Sequence, residues 1–304
     1  MLKNALKKVR KHLKKRSLAF NDFSLSEIGF GASPLGQVYG TLSQKEAQCL
    51  VSCAIDQGIT YFDVAPYYGN AETVLGKYLP KDKSAISLST KVGRYGPKTF
   101  DFSKKRLQAS LENSLKQLKT DYFDIVFCHD IEFAKPKELI DEAIPFLDSC
   151  KQKGLIGAIG ISGYPLEPLL KLAKHPSVSV VLSYAHYCLI NTQLADVIET
   201  CQKSKVDIIN ASPLAMGLLS QKGPSGWHPA KKRHQQIIAS AGTQALEKAS
   251  LSFAFDQDCF ASTLVGFSHL TELDFALNCY KTHSKECYNT AFESLSGLRP
   301  LTWS

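Results

Sequence analysis

Three apolar runs in this chain end on residues able to hold or move a proton. The first ends at Asp63 in FDVAPYYG, with Tyr68 in the loop after it; the second ends at Lys91 in LSTKVG and the third at His129 in VFCHD. A free tyrosine titrates near about 10, and an adjacent ammonium favours the phenolate and lowers that value. Lys91 is expected to supply that charge, and Asp63 to hold the ammonium by a charge-assisted hydrogen bond. His129 is expected to orient the reacting oxygen or relay its proton. Such a clamp around one oxygen suits proton transfer coupled to hydride transfer. Singly, each residue has an ordinary structural role: Tyr68 stands in an aromatic cluster with Tyr61 and Tyr67, strand-end lysines are commonly solvated, and lone histidines commonly support the fold.

Only a fold that sets strand ends side by side can bring these residues together. Eight short β-branched or apolar runs read as strands: Glu27–Gly31, Thr60–Asp63, Ala85–Lys91, Tyr122–Cys128, Gly157–Ser162, Val178–Ser183, Asp207–Ala211 and Ser262–Gly266. Between them, Gln44–Gln57, Lys104–Lys119, Pro136–Lys153, Thr192–Ser204 and Thr243–Phe255 carry apolar residues at helical spacing. Ser43 and Ser103 stand at N-cap positions, and Gly58 and Gly154 where helices should stop. This alternation predicts an α/β fold, a (β/α)8 TIM barrel with an N-terminal β-hairpin cap, whose site gathers at the C-terminal strand ends. A doubly wound dinucleotide fold fits worse. In GFGASPLG the third required glycine falls at Pro34, and no helix opens directly on the segment.

Charge sets the domain boundaries. Residues 1–16 hold eight Lys or Arg and no acid, which accounts for the whole net charge of +8 and leaves the body neutral. We therefore read a basic extension at 1–16 and one barrel at 17–304. Leu2, Leu6, Val9 and Leu13 draw an apolar stripe along that extension. It is either a solvated tail or a segment that contacts anionic surfaces, steers anionic partners or acts as a transit-like leader. No integral membrane segment and no nucleic-acid partner is expected. Nine scattered cysteines without a C-x-x-C pair argue against a disulfide framework or a metal site, and for a cytoplasmic protein with reduced thiols.

At this point the chain resembles a known family. DVAPYYGNAE is similar to the Asp-x-Ala-x-x-Tyr-Gly-x-x-Glu motif of the aldo-keto reductases, STKVG to their lysine strand and CHD to their histidine strand. GFGASPLG and ASPLAMGLL resemble their first-strand and seventh-strand signatures. The resemblance spans about residues 16–281. It implies Asp63, Tyr68, Lys91 and His129 as the catalytic four, with Tyr68 as general acid/base. It also implies a nicotinamide cofactor held by Ser162, by Tyr187 stacked on the nicotinamide, by Ser212, Pro213, Leu214, Met216 and Gly217 over the pyrophosphate, and by Gly266, Phe267, Ser268 and Glu272 at the adenosine. His186 takes the stacking position if the register is one residue off. Three departures stand out: Gly163 replaces the usual asparagine after Ser162, and Phe275 and Ala276 replace an acidic residue and an asparagine at the adenine.

An NADP site favours Lys or Arg beside the ribose phosphate. Residues 267–270 offer only His269, so NAD is expected in preference to NADP. The CHDIEF segment and the GWHPA loop resemble a branch of the family that oxidises the anomeric carbon of L-galactose or a similar aldose to an aldonolactone. That implies a small sugar substrate, met by Trp227 with Tyr39, Asp130 and His228, in a monomer or weak homo-oligomer. An NADPH-dependent aldehyde or ketone reductase is the alternative, and a non-enzymatic cofactor-binding regulatory relative a further one. The intact catalytic four argues against the last.

Overall fold

A computed structural model describes residues 13–19 and 23–303. The chain enters through an antiparallel hairpin, β1 (Lys15–Ser17) and β2 (Ser24–Ser26), with Arg16 opposite Leu25. Parallel strands follow: β3 (Ile28–Gly31), β4 (Tyr61–Asp63) and β5 (Ser87–Val92), then a short antiparallel hairpin, β6 (Arg94–Gly96) and β7 (Thr99–Phe100). The parallel series resumes with β8 (Phe123–Cys128), β9 (Ile156–Gly163), β10 (Val178–Tyr184), β11 (Asp207–Ala211) and β12 (Ser262–Gly266). These eight parallel strands form a closed barrel, sealed where β12 pairs with β3, Thr263 opposite Ile28.

Strands buried on both faces explain the near-continuous apolar runs. Alternate residues point inward and outward. Tyr61, Ile125, Phe127, Val180, Leu182 and Ile209 fill the barrel, while Phe62, Val126, Val181 and Ile208 pack under the helices. Leu18 and Leu25 of the hairpin region join the inner cluster. The hairpin therefore plugs the N-terminal end of the barrel, tied by Ala19 N donating to Asp207 at the start of β11 (2.8 Å). Arg16 bridges Glu27 (2.8 Å) and Asp258 (2.7 Å) there. Lys15 and Arg16, counted with the basic extension by charge, thus lie in the plug, and Leu13 is already buried. The rest of the extension, residues 1–12, lies outside the described residues, and with it Leu2, Leu6 and Val9.

The helices largely follow their sequence signals. Gln44–Asp56 starts in a full capping box between Ser43 and Glu46, worth about 1 kcal/mol. Gly58 and Gly154 follow helix ends at φ of +93° and +71°, which a side chain would strain. Ser103 occupies its N-cap but makes no side-chain capping bond. Within the predicted Pro136–Lys153 stretch, Glu138–Ala143 is a π turn leading into the α-helix Ile144–Gln152. Pro145 has no N–H to offer Asp141, so the ladder widens just before it. Helices Ala71–Tyr78, Leu166–Leu172 and Leu270–Thr282 complete the ring around the barrel. No described helix is long and apolar enough to cross a membrane.

Candidate active site

Consecutive strand ends deliver the four predicted residues to one place. Asp63 closes β4, Lys91 lies near the end of β5, and His129 follows β8 directly. Tyr68 sits in the loop after β4, which runs against the loop after β3. A Cβ on Gly36 would stand 1.7 Å from Tyr68 O, so only glycine admits that approach.

Lys91 Nζ donates to Asp63 Oδ2 and to Val64 O (3.1 Å), with the Lys91 residue 1% exposed. Asp63 Oδ1 accepts from Ser89 Oγ (2.7 Å), which lies 2.9 Å from the Tyr61 hydroxyl. Both carboxylate oxygens are therefore engaged, and the ammonium is fixed. It lies 5.1 Å from the centre of the Tyr68 ring. The imidazole of His129 stands edge-on to that ring, centroids 5.8 Å apart at 87°.

The electrostatics differ from the sequence expectation in one respect. Tyr68 is pushed above its ordinary value, by burial first and then by the charges of Asp63 and Asp130. Asp63 neutralises the ammonium expected to lower it, so the phenol keeps its proton in the free chain. Burial, aided by Lys91 and Arg94, holds His129 well below its usual value, hence neutral. Its Nδ1 is buried without a partner, and Nε2 lies 3.8 Å from Asp130 Oδ2. The centre is thus a protonated phenol beside a neutral imidazole and an ammonium–carboxylate pair.

Of the expected substrate contacts, three gather at the mouth. Tyr39 packs on Trp227 at 5.6 Å, and burial with nearby Tyr67 raises its hydroxyl to about 12. Trp227 is 51% exposed, with Tyr39 and His228 as its ring neighbours. Asp130 is buried beside His129, paired with Arg94. His228 is corrected. Its Nδ1 accepts from Ala230 N (3.1 Å), so Nε2 carries the proton and donates to Ala215 O (2.9 Å). With both nitrogens taken by backbone, it holds the loop rather than a sugar.

Tyr187 is corrected too. Its ring is wedged between Phe253 (4.8 Å) and Phe260 (4.9 Å), and its hydroxyl accepts from Gln257 (3.0 Å), so neither face can receive a nicotinamide. His186 is buried against Tyr164 (4.4 Å) and bonded to Ser183 (3.0 Å). The aromatic residue that β10 carries to the mouth is Tyr184, its last residue. A strand-end rule applied to β10 would have found it. Arg94, which opens β6 after the lysine strand, and Glu132, after the histidine, are further mouth residues that the motifs did not single out.

The other expected cofactor positions form a continuous rim. Ser162 Oγ lies 3.4 Å from both Asp130 N and Cys128 O. Past β11, Ser212, Ala215, Met216 and Gly217 all have positive φ; Ala215 N and Gly217 N donate back to Ser212 O (2.8 Å) and Leu214 O (3.1 Å), so the remaining N–H groups of this tight turn are the ones a phosphate could meet. Pro213 O accepts from Ser250 (2.6 Å), and Leu214 packs on the core, which fixes this loop. Beyond it, Lys222 reaches Glu272 (2.7 Å) across to the helix after β12, where Glu272 also accepts from Ser268 N (2.6 Å). Phe267 packs its ring on Phe30, so only its backbone, with that of Gly266, faces outward. Phe275 and Ala276 pack inward and offer the adenine no polar group. Among the described residues no cluster of His, Cys, Asp and Glu could hold a metal.

A closed parallel barrel carrying this buried group defines the class. The chain belongs to the aldo/keto reductase family, whose model matches residues 27–294, and is an oxidoreductase of a family that uses nicotinamide cofactors. It is 38% identical over 273 residues to L-galactose dehydrogenase of Arabidopsis thaliana, covering 85% of each chain. D-arabinose 1-dehydrogenase of Saccharomyces cerevisiae is 30% identical over 287 residues, covering 86% of this chain and 85% of that one. An aldo-keto reductase of Bacillus halodurans superposes with a TM-score of 0.77 at 24% identity, covering 93% of this chain and 96% of that one; this likeness shows the fold.

Proposed function

We propose that the chain is an NAD-dependent aldose 1-dehydrogenase, which removes a hydride from the anomeric carbon of L-galactose or a similar aldose and releases an aldonolactone. One observation carries the chemistry: Lys91, locked on Asp63, sits 5.1 Å from the Tyr68 ring while neutral His129 abuts its edge. The two similar aldose dehydrogenases support the sugar.

Tyr68 is the catalytic residue that exchanges the proton of the anomeric hydroxyl, and His129 bonds the same oxygen as a neutral donor or acceptor. Lys91 eases formation of the phenolate when substrate arrives, and Asp63 keeps the ammonium in place. Trp227 and Tyr39 offer aromatic faces to the apolar side of a pyranose. When bound, NAD+ would supply the hydride acceptor. The run of positive-φ residues around Ser212–Gly217 fits its pyrophosphate, and Ser162 and Tyr184 border the reacting end. NAD is preferred over NADP because His269 is the only cationic candidate at 267–270 and Lys222 is already paired with Glu272.

The raised Tyr68 also favours a second reading, carbonyl reduction, since a phenol that keeps its proton is ready to donate it. One panel separates the two: L-galactose, L-fucose and D-arabinose with NAD+ and NADP+, and aromatic aldehydes with NADH and NADPH, followed by cofactor absorbance. Oxidation of a sugar with NAD+ is expected. Activity confined to aldehydes with NADPH would overturn the proposal. Tyr68→Phe is expected to lower turnover about 10²–10⁴-fold with cofactor affinity kept.

A further inference from the structure

A second polar group stands at the mouth, and the proposed proton transfer passes through none of its members. Asp130 adopts φ of +52°, strained for a residue with a Cβ, and this conformation turns its carboxylate onto Arg94 of β6. The pair is almost enclosed, the carboxylate 2% and the guanidinium 19% exposed. Arg94 in turn lies 3.9 Å over the ring of Tyr67, which contacts the edge of His129. Two residues after Asp130, Glu132 Oε1 accepts from Tyr164 N (3.1 Å). The Glu132 carboxyl fills the space a side chain at 163 would need, for a Cβ built on Gly163 stands 2.5 Å from Oε2. Glycine at 163 therefore admits this carboxyl to the end of β9, beside Ser162.

Asp130 Oδ1 and Glu132 Oε2 are both buried without a hydrogen-bond partner. Unpaired buried acceptors are costly, and a fold that retains two of them next to its reacting centre holds them for a donor that arrives with the ligand. Burial, followed by the charge of Asp130, raises the Glu132 carboxyl to about 7. Arg94 already balances Asp130, so the wall suits neutral hydroxyl donors better than an anionic sugar phosphate.

We infer that Asp130 and Glu132, braced by Arg94 and the Tyr164 backbone, form a hydroxyl-reading subsite that accepts hydrogen bonds from two ring hydroxyls of the substrate. The inference rests on the aldose reading and deepens it. It makes Glu132 a specificity-determining residue, because a site built to bond hydroxyls rejects analogues that lack them far more strongly than an apolar pocket rejects an added group.

The test compares wild type with Glu132→Gln on L-galactose, on its monodeoxy analogues including L-fucose, and on an aromatic aldehyde without hydroxyls. We expect KM for L-galactose to rise about tenfold with kcat within about threefold, and aldehyde reduction to be unchanged. A deoxy analogue that costs wild type about tenfold should cost the variant less than about twofold, since the two deletions remove one interaction. Gly163→Ala, whose methyl displaces the Glu132 carboxyl without deleting it, should reproduce the KM effect and guards against a folding defect in the first variant. Equal losses on sugar and aldehyde, or additive deoxy penalties, would overturn the subsite. So would NAD+ affinity, read by protein fluorescence, falling tenfold with sugar discrimination intact, which would assign the carboxyl to the cofactor. A wild type that oxidises no aldose brings down the aldose reading itself; an active wild type with an indifferent variant brings down the subsite alone.

Discussion

Replacing Asp63 by asparagine tests the central electrostatic claim without touching Tyr68 or His129. The ammonium of Lys91 is 1% exposed and has two acceptors, Asp63 Oδ2 and Val64 O. The asparagine keeps the shape but removes the charge, leaving a buried cation facing a carbonyl. Breaking one side of a buried pair costs about 3–5 kcal/mol. In a domain of this size that corresponds to a fall in Tm of about 5–8 °C. The pH dependence gives the sharper signature. With its counter-ion gone, burial favours the neutral amine in the folded state, while the unfolded chain keeps the ordinary lysine value. The unfolded state then binds more protons, so stability of the variant must rise with pH above the lowered lysine value, by at most about 1.4 kcal/mol per pH unit. Thermal and urea unfolding between pH 6 and 10, followed by circular dichroism, reads both effects. A variant that loses less than about 1 kcal/mol, with the same pH slope as wild type, would refute the claim that this pair is a buried, mutually dependent unit.

Other outcomes follow from single side chains. Tyr187→Phe should lower stability by about 1 kcal/mol through the lost Gln257 bond and leave NAD+ affinity alone; a tenfold weaker affinity would return this ring to the cofactor. Tyr184→Ala should reduce kcat/KM about 3–10-fold, the value of one aromatic contact at the mouth, and also lower the unfolding midpoint, because the ring packs on the inner cluster of the barrel and on Tyr164; an unchanged kcat/KM would remove this ring from the site. Leu25→Ala should destabilise by about 2–5 kcal/mol with unchanged kinetics, because the hairpin plugs the end of the barrel opposite the site. Glu132 titrates at about 7 in the fold against about 4.5 ordinarily, so it keeps its proton longer folded than unfolded. Its contribution is therefore fully present below about pH 4.5 and is lost as pH rises through about 7; Glu132→Gln should flatten that part of a urea-derived stability profile.

The barrel was legible because its physics is local. All eight strands carry the apolar runs that burial on both faces demands, and strand order needed only the rule that parallel neighbours follow in sequence. Helices with weak signals were passed over. Leu166–Leu172 is seven residues long and interrupted by Pro168, and Ala71–Tyr78 opens at Asn70 with no capping bond, so neither announces its start. The convergence of Asp63, Tyr68, Lys91 and His129 was legible for the same reason as the barrel: strand ends are places a sequence marks, and a closed barrel makes them neighbours.

The errors fall where position depends on what a loop does after its strand. Tyr187 follows β10 by three residues, and in between Ala185 takes φ of +58°, reversing the direction in which the next side chains point. No count of residues reveals that reversal, which sends Tyr187 into the Phe253–Phe260 stack and leaves Tyr184 as the ring at the mouth. His228 failed for a related reason. A histidine in an exposed-looking GWHPA turn reads as a ligand contact, but the same turn must satisfy Ala215 O and Ala230 N, and the imidazole is the side chain within reach of both. Residues near the site that are needed to satisfy backbone polar groups are not free for substrate. The same accounting, applied to acceptors instead of donors, is what singles out Asp130 and Glu132: both carboxylate oxygens of Asp63 have partners, whereas Asp130 Oδ1 and Glu132 Oε2 have none.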